Sequence, residues 1–574
     1  MTLIELLKQR RIDFPEKEFL HIWNRANQKY TYSYQNIYEN SLKYAKYLKG
    51  KGIKKGDTVF IMLLTRVEFF YLFFGTIMAG GNPIPVHPPI FIVEWDDYKE
   101  KILHMFHTSK PKYIFCYDQV FRSIKEKILK DQFDENNIIM IESIQIEESV
   151  EDFEPYMPQE EECAYIQYTS GTTHLPRGVM LSHRALMNNI KAIGKAIQLS
   201  DQDIAVSWLP LYHDMGMIGN FLTSFYYGCT ICLIPTDYFI MGPYVFFDII
   251  SNYKGTIINA PNFGYVICNK YVTESKLKKT RIDSLKYALI GSDHIEFNDM
   301  EEFVDKYTPY GLNENTFLPV YGFAESCLAV TFSELGQPML WDYIDWEILN
   351  NEKRIVSCDR DTKHSLKVIS VGIPIEGQQV KICDDQNNQM KECYLGQIFV
   401  KGTMLMNGYH NLPAETNQVF CDGWFKTNDL GYIKNGLLYY FDRISDVVLQ
   451  NGKIYRPKDF EHYCWNIKDI KRGRSALIGI DKEEDSETQL YLLIETGTLY
   501  KERYIAIVEE LNEIYLKELG KIPDIVHVVA RGSIPQTSSS KTQRYKCKTK
   551  VLDQTFDTNF IYDNINKKVL FCKI

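Results

Sequence analysis

The run "YIQYTSGTTHLPRGVMLSH", Tyr165 to His183, decides the fold of this chain. It opens on the apolar and aromatic residues of a strand, passes through small hydroxyl and glycine residues, places one Arg, and ends where a helix-length segment begins. Glycines in such a turn let backbone N–H groups converge on an anion, and Thr and Ser add hydroxyl donors without bulk. The cation then supplies charge. Thr169, Ser170, Gly171, Thr172, Thr173 and Arg177 therefore read as a phosphate-holding loop, although an isolated Gly/Thr cluster is also an ordinary polar turn. It is not a Walker A loop: six residues separate Gly171 from Gly178, the cation precedes the second glycine, and Val179 follows it.

Outward from this loop, apolar runs such as "DTVFIMLL", "KYIFCY", "TICLIP" and "QIFVKG" alternate with amphipathic segments of helix length, the pattern of βαβ units and mixed or parallel sheets. With 574 residues the chain is long enough for more than one domain. The net charge of −9 argues against broad, sequence-independent nucleic-acid binding. Thirteen cysteines, scattered apart from one lone CxxC spacing at Cys229 and Cys232, suggest neither a zinc site nor a disulfide framework. The opening "MTLIELLKQRRIDFPEKEF" lacks the apolar core of a secretory signal. Arg66 and Glu68 interrupt the greasiest region, and "FFYLFFGTIMAGG" reads as a buried helix too short to span a bilayer. A reduced, cytoplasmic protein without stable membrane insertion is expected. The acidic passage Asp131 to Glu162 is expected to hold an exposed loop.

A domain boundary falls near "YYFDRISDVVLQNGKIYRPKDFE", after which the chain to Ile574 has the size of a small second domain.

The loop at Tyr165–His183 resembles the phosphate loop "YTSGTTGxPKG" of the adenylate-forming superfamily, which includes acyl-CoA synthetases, luciferases and the adenylation domains of peptide synthetases. His174 stands where glycine is usual and Arg177 where Lys is usual. Further motifs follow in the family's order. "VYGFAES" resembles its Tyr-Gly-x-x-Glu motif, which implies that Tyr321 and Gly322 lie against adenine and that Glu325 holds Mg²⁺ against the triphosphate. "GWFKTNDLGY" resembles the ribose-binding segment, with Asp429 accepting both hydroxyls and Asn428 replacing a glycine. "FDRISD" resembles the hinge, with Arg443 near ribose or phosphate and Ser445 at the pivot. "IPQTSSSKTQRYKCK" resembles the C-terminal "PxTxxGKxxR" motif, with Ser540 in place of glycine. Lys541 is then the lysine that bridges carboxylate and α-phosphate during adenylation. "ALIGSDHIE" occupies the adenine-loop position through Gly291, Ser292 and Asp293.

Two segments, "WLPLYHDMGMIGN" and "NAPNFGYVICNK", look like signatures of the fatty acyl-AMP ligases. The resemblance implies an α/β fold: a large N-terminal domain of mixed and parallel sheets packed with helices (1–442, acyl and ATP site), a hinge (443–446), and a smaller α+β C-terminal domain (447–574) carrying Lys541. It implies ATP and Mg²⁺, a long-chain fatty acid activated as acyl-AMP with release of pyrophosphate, and transfer to the phosphopantetheine arm of an acyl carrier protein. His213 would lie at the acyl–phosphate junction, and Met215, Met217, Ile218, Phe221 and Phe263 would line an apolar tunnel. The long stretch Cys327 to Ser370 corresponds to an extra segment thought to restrain domain movement and disfavour CoA. Lys471, Arg472 and Arg474 are candidates for a carrier-docking patch, against the plainer reading of a solvated cluster. A fatty acyl-CoA synthetase, an amino-acid adenylation domain and a nucleotide- or lipid-binding pseudoenzyme are the alternatives.

Overall fold

The structure is a computed structural model and describes residues 1–90, 95–128, 134–147, 149–169, 175–481, 488–536 and 541–573. Its backbone is one long sheet that runs, edge to edge, through Gln378–Cys383, Gly396–Gly402, Trp424–Lys434, Leu437–Arg443, Ser365–Pro374, Ala329–Phe332, Phe317–Gly322, Tyr287–Ile290, Ile257–Ala260, Ile204–Ser207, Thr230–Leu233, Glu18–Trp23 and Lys29–Ser33. The strands from Phe317–Gly322 to Glu18–Trp23 are parallel neighbours. Their sequences are short apolar runs, as a sheet covered on both faces requires. From Ala329–Phe332 onward the pairing is antiparallel.

A second, parallel sheet of Asn82–Pro85, Thr58–Met62, Tyr113–Cys116 and Ile138–Met140 contains "DTVFIMLL" and "KYIFCY". Between the two layers lies the helix Val67–Met78, whose Phe69 to Met78 are all buried. It packs on the helix Tyr34–Gly50 so closely that a Cβ on Gly75 would come within 3.0 Å of the Ser41 carbonyl. No helix among the described residues is long and apolar enough to cross a membrane. Among the described residues no disulfide joins any of the thirteen cysteines.

The chain from Pro457 onward forms a smaller unit. The strands Ser475–Asp481, Thr488–Thr496, Ile525–Ala530, Thr558–Asp563 and Lys568–Cys572 make one mixed sheet, flanked by helices Pro457–Cys464, Lys501–Glu518 and Arg544–Leu552. Its core, built on Phe460, Leu492, Tyr504, Leu511, Tyr515 and Phe560, is separate from the cores of the large lobe. The fold is thus α/β, a large N-terminal and a small C-terminal lobe.

Within Cys327 to Ser370, the strand Trp341–Asp345 pairs with Ser365–Pro374 and leads into the helix Trp346–Glu352. This piece reaches the small lobe: Asn350 Oδ1 accepts the Ile454 amide at 2.5 Å, and Lys353 Nζ donates to the Gly452 carbonyl at 3.2 Å.

Candidate active site

The C-terminal ends of the parallel strands, where open α/β sheets gather their ligand sites, converge with the hairpin Trp424–Lys434/Leu437–Arg443. The register of that hairpin sets Asp429 opposite Arg443. The Arg443 guanidinium stands 3.7 Å from Asp429 Oδ1, while the Tyr321 hydroxyl donates to Asp429 Oδ2 at 2.6 Å. Burial pushes the Asp429 carboxyl up to about 6, and Arg443 and Tyr321 only partly offset it. Asn428 takes φ +59°, the left-handed conformation that Asn tolerates better than most residues, where the related motif has glycine.

Tyr321 ends the strand Phe317–Gly322, and the short turn Ala324–Ser326 carries Glu325 inward. Gly322 is required there, since a Cβ would meet the Leu328 carbonyl oxygen at 1.7 Å. The Glu325 backbone is held by the Met406 amide at 2.8 Å. Its carboxylate accepts the Tyr409 hydroxyl at 2.6 Å. Burial raises the Glu325 carboxyl above its ordinary value despite Tyr409 and the Arg177 charge. Arg177 lies 5.2 Å over the Tyr409 ring. The base of the glycine-rich loop is closed by two bonds: Thr169 N–H to the Arg177 carbonyl (3.0 Å) and Arg177 N–H to Thr169 Oγ1 (3.1 Å). Ser170, Gly171, Thr172, Thr173 and His174, like Ser540, lie outside the described residues.

His213 and Asp214 precede the π-helix Met215–Leu222, and His213 Nδ1 is 2.7 Å from Asp214 Oδ1. Burial opposes ionisation of Asp214, but His213, the Met215 amide and Lys541 outweigh it and hold the carboxyl low. Lys541 arrives from the small lobe. Its ammonium donates to the backbone carbonyl of Ser292, itself at φ +68°. Burial lowers the Lys541 ammonium below its ordinary value.

These groups front one cavity of about 1040 Å³. Thr169, Arg177, His213, Ser292, Tyr321, Gly322, Glu325, Asp429, Arg443, Ser445 and Lys541 line it, together with Met215 and Phe263. Trp208, Leu209, Ile240, Met241 and Ile267 extend an apolar wall. Ser445 is exposed, in the turn that follows Arg443.

Some expectations need correction. Met217, Ile218 and Phe221 are fully buried in the main core and do not line the cavity. The helix turns Met215 and Gly219 to the cavity and its other face inward, where Phe221 packs 4.5 Å from Phe70. Gly291 lies behind the wall: a Cβ would be 2.7 Å from the Val320 carbonyl oxygen. Asp293 turns back to accept the His294 amide at 2.8 Å; burial would raise its carboxyl, but Lys458 and Lys541 hold it below its usual range. In the basic cluster Lys471 and Arg472 are exposed, but both arginines are engaged within the protein. Arg472 pairs with Asp299 and stacks 4.5 Å over Trp465, and Arg474 donates to the Ile534 carbonyl. Tyr409 and Asp214 were missed; Tyr409 sits on the two-residue strand Gly408–Tyr409, which reaches the site only by pairing with Gly178–Ser182.

Residues 8–410 match the AMP-binding enzyme family. A protein of Caulobacter vibrioides (strain NA1000 / CB15N), provisionally named an acyl-CoA synthetase, is 29% identical over 526 residues, 91% of each chain. The medium-chain-fatty-acid–[acyl-carrier-protein] ligase JamA of Moorena producens (strain JHB) is 27% identical over 575 residues, 97% of this chain and 96% of its own. A structure from work on the fatty acyl-adenylate ligases of E. coli and L. pneumophila superposes with a TM-score of 0.88 at 27% identity, covering 96% of this chain and 98% of that one. A nucleotide-sized cavity at the strand ends, the family match over most of the chain and this superposition agree: the chain belongs to the AMP-binding enzyme family, with the fold of the solved fatty acyl-adenylate ligases.

Proposed function

We propose that this ligase activates a long-chain fatty acid with ATP, releasing pyrophosphate and forming acyl-AMP, and then passes the acyl group to the phosphopantetheine thiol of an acyl carrier protein. One observation carries the reading. A single cavity joins a charged end (Arg177, Glu325, Asp429, Arg443, Lys541) to an apolar wall (Trp208, Leu209, Phe263, Ile267), which suits a nucleotide at one end and an aliphatic chain at the other. JamA, named as a fatty-acid–acyl-carrier-protein ligase, supports the carrier as acceptor.

In this reading Asp429 accepts the ribose hydroxyls, Tyr321 and Ser292 frame adenine, and the Thr169–Arg177 loop holds the outer phosphates. A carboxylate oxygen attacks the α-phosphorus, and the bond to the bridging oxygen breaks with its electrons leaving on pyrophosphate. Lys541 neutralises charge where carboxylate and α-phosphate meet, with His213 beside that junction. The turn after Arg443, with Ser445 exposed, is the pivot about which the lobe of residues 447–574 would then withdraw Lys541. The 341–353 segment, bonded to that lobe, would limit its travel. The residues fit Mg²⁺ of the kind held by one carboxylate and substrate phosphates: the half-buried Glu325 faces the cavity beside Arg177, and no cluster of three metal-ligating side chains exists among the described residues. When bound there, the ion supplies charge neutralisation on the phosphates.

The test is pyrophosphate release with a panel of fatty acids and ATP, followed by supply of CoA or holo-carrier protein. Release that depends on an aliphatic acid, with thioester formed on the carrier, is expected. Efficient acyl-CoA formation would overturn the acceptor, and absence of release with every acid would overturn the activation step.

A further inference from the structure

The lysine that enters the cavity has a companion five positions on. Lys546, on the helix Arg544–Leu552, pairs with Asp97 and stands 3.5 Å from Glu100 on the helix Trp95–Ser109 of the large lobe. The second oxygen of Asp97 is held by Lys101 at 2.9 Å. The Lys546 and Asp97 side chains are only 20% and 13% exposed, so the pair is shielded from water and salt. Burial would raise the Asp97 carboxyl, and the two lysines together hold it below its usual range.

The position of this pair gives it leverage. The other contacts between the lobes described above reach the large lobe at Ser292, at Asp299 and along the 341–353 segment. Lys546 reaches a different wall of the cavity, the helix that presents Tyr98, Ile102 and Met105 to it. An attachment on a separate wall further narrows the directions in which the lobe can swing. Lys541 and Lys546 are tied to the same framework. Gln536 and Thr542 pair in a backbone bridge, the Gln543 amide donates to the Pro535 carbonyl at 2.9 Å, and Gln543 is fully buried. Arg544 pins the start of the helix to Glu461.

We propose that Lys546 is a positioning residue for Lys541: its ion pair with Asp97 seats the small lobe on the helix Trp95–Ser109 in the orientation that delivers Lys541 to the cavity. The inference rests on the reading of Lys541 as the adenylation lysine. The helix that holds the lobe through Asp97 is the same one that lines the cavity with Tyr98, Ile102 and Met105.

The test is pyrophosphate release from laurate and ATP by Lys546→Met, Asp97→Asn, the double variant and Lys546→Arg. Misplacing a catalytic group by about 1 Å costs up to about a hundredfold, so a tenfold to hundredfold fall in kcat is expected for each single change. KM for ATP should stay within about twofold, because the nucleotide contacts of the large lobe are untouched. The double variant should be no worse than either single one, and Lys546→Arg should restore most of the rate. Asp97→Asn removes charge without volume and carries the test if Lys546→Met does not fold. Wild-type kcat in Asp97→Asn, or a double variant whose loss is the product of the two, overturns the proposal. Lys541→Ala is measured alongside. Full activity there overturns the adenylation reading itself, whereas loss there beside wild-type rates in Asp97→Asn and Lys546→Met overturns the positioning role alone.

Discussion

The hydroxyl of Tyr321 donates to Oδ2 of Asp429 at 2.6 Å, joining the end of a parallel strand to a hairpin 108 positions later in the chain. The bond aims the carboxylate and helps offset the burial that pushes it up to about 6. Removing it with Tyr321→Phe leaves the ring in place and costs about 1 kcal/mol of ATP binding, a rise in KM for ATP of roughly fivefold with kcat little changed. Steady-state kinetics in ATP check this; an unchanged KM would show that the bond does not order Asp429.

Glu325 is held by the Tyr409 hydroxyl and backed by the Arg177 charge. Glu325→Gln keeps the shape and removes the negative charge, so the Mg²⁺ concentration giving half-maximal pyrophosphate release should rise by roughly tenfold or more. Tyr409→Phe should shift the same curve in the same direction by less, since it removes one hydrogen bond and no charge. A metal titration of the three proteins decides it.

Lys541→Ala should lower acyl-adenylate formation by roughly a hundredfold or more, the scale on which a group aimed at developing charge acts. Thioester formation from supplied acyl-adenylate should be spared. A variant that releases pyrophosphate at the wild-type rate would remove Lys541 from the reaction.

Gly219 borders the cavity, and a Cβ there would come 2.8 Å from the Leu328 side chain. Gly219→Leu should therefore narrow the apolar part, and activity should fall more steeply with acyl chain length than in the parent. Competition between octanoate and palmitate reads this out. An equal loss for both acids would place the acyl chain elsewhere.

Asp442 is 7% exposed, and its Oδ2 has no hydrogen-bond partner. Burial, with Asp446 nearby, pushes its carboxyl up to about 7. A carboxyl raised on folding contributes stability in full below its unfolded pKa, and that contribution is lost as pH climbs toward 7. Asp442→Asn escapes the loss while keeping the Oδ1 that accepts the Arg443 amide at 2.8 Å. Its stability relative to the parent should thus grow between pH 4 and 7 and level off above, by on the order of 2 kcal/mol. Melting temperatures at pH 5 and pH 8 check the sign: the gain must be larger at pH 8.

The sequence by itself determined the class of the fold and the charged residues Arg177, Glu325, Asp429, Arg443 and Lys541 at one end of the cavity. Short β-branched runs spaced by helix-length segments dictate buried parallel strands, because only strands covered on both faces are apolar throughout. Resemblance to the family's motifs also marked Arg177, His213, Tyr321, Glu325, Asp429 and Lys541, since each motif is carried by adjacent positions in the chain. What tertiary structure alone decided is which face each neighbour presents. Met215 and Met217 are equally apolar in sequence, yet the helix turns the first to the cavity and the second into the core. Tyr409 gains its place through pairing with Gly178–Ser182, and Arg472 finds Asp299 across the lobe interface. Nothing in the sequence around Lys546 points to Asp97, far away in the chain, which only the packed lobes bring against it. Distances between elements remote in sequence come from how sheets and lobes pack, and no local pattern encodes them.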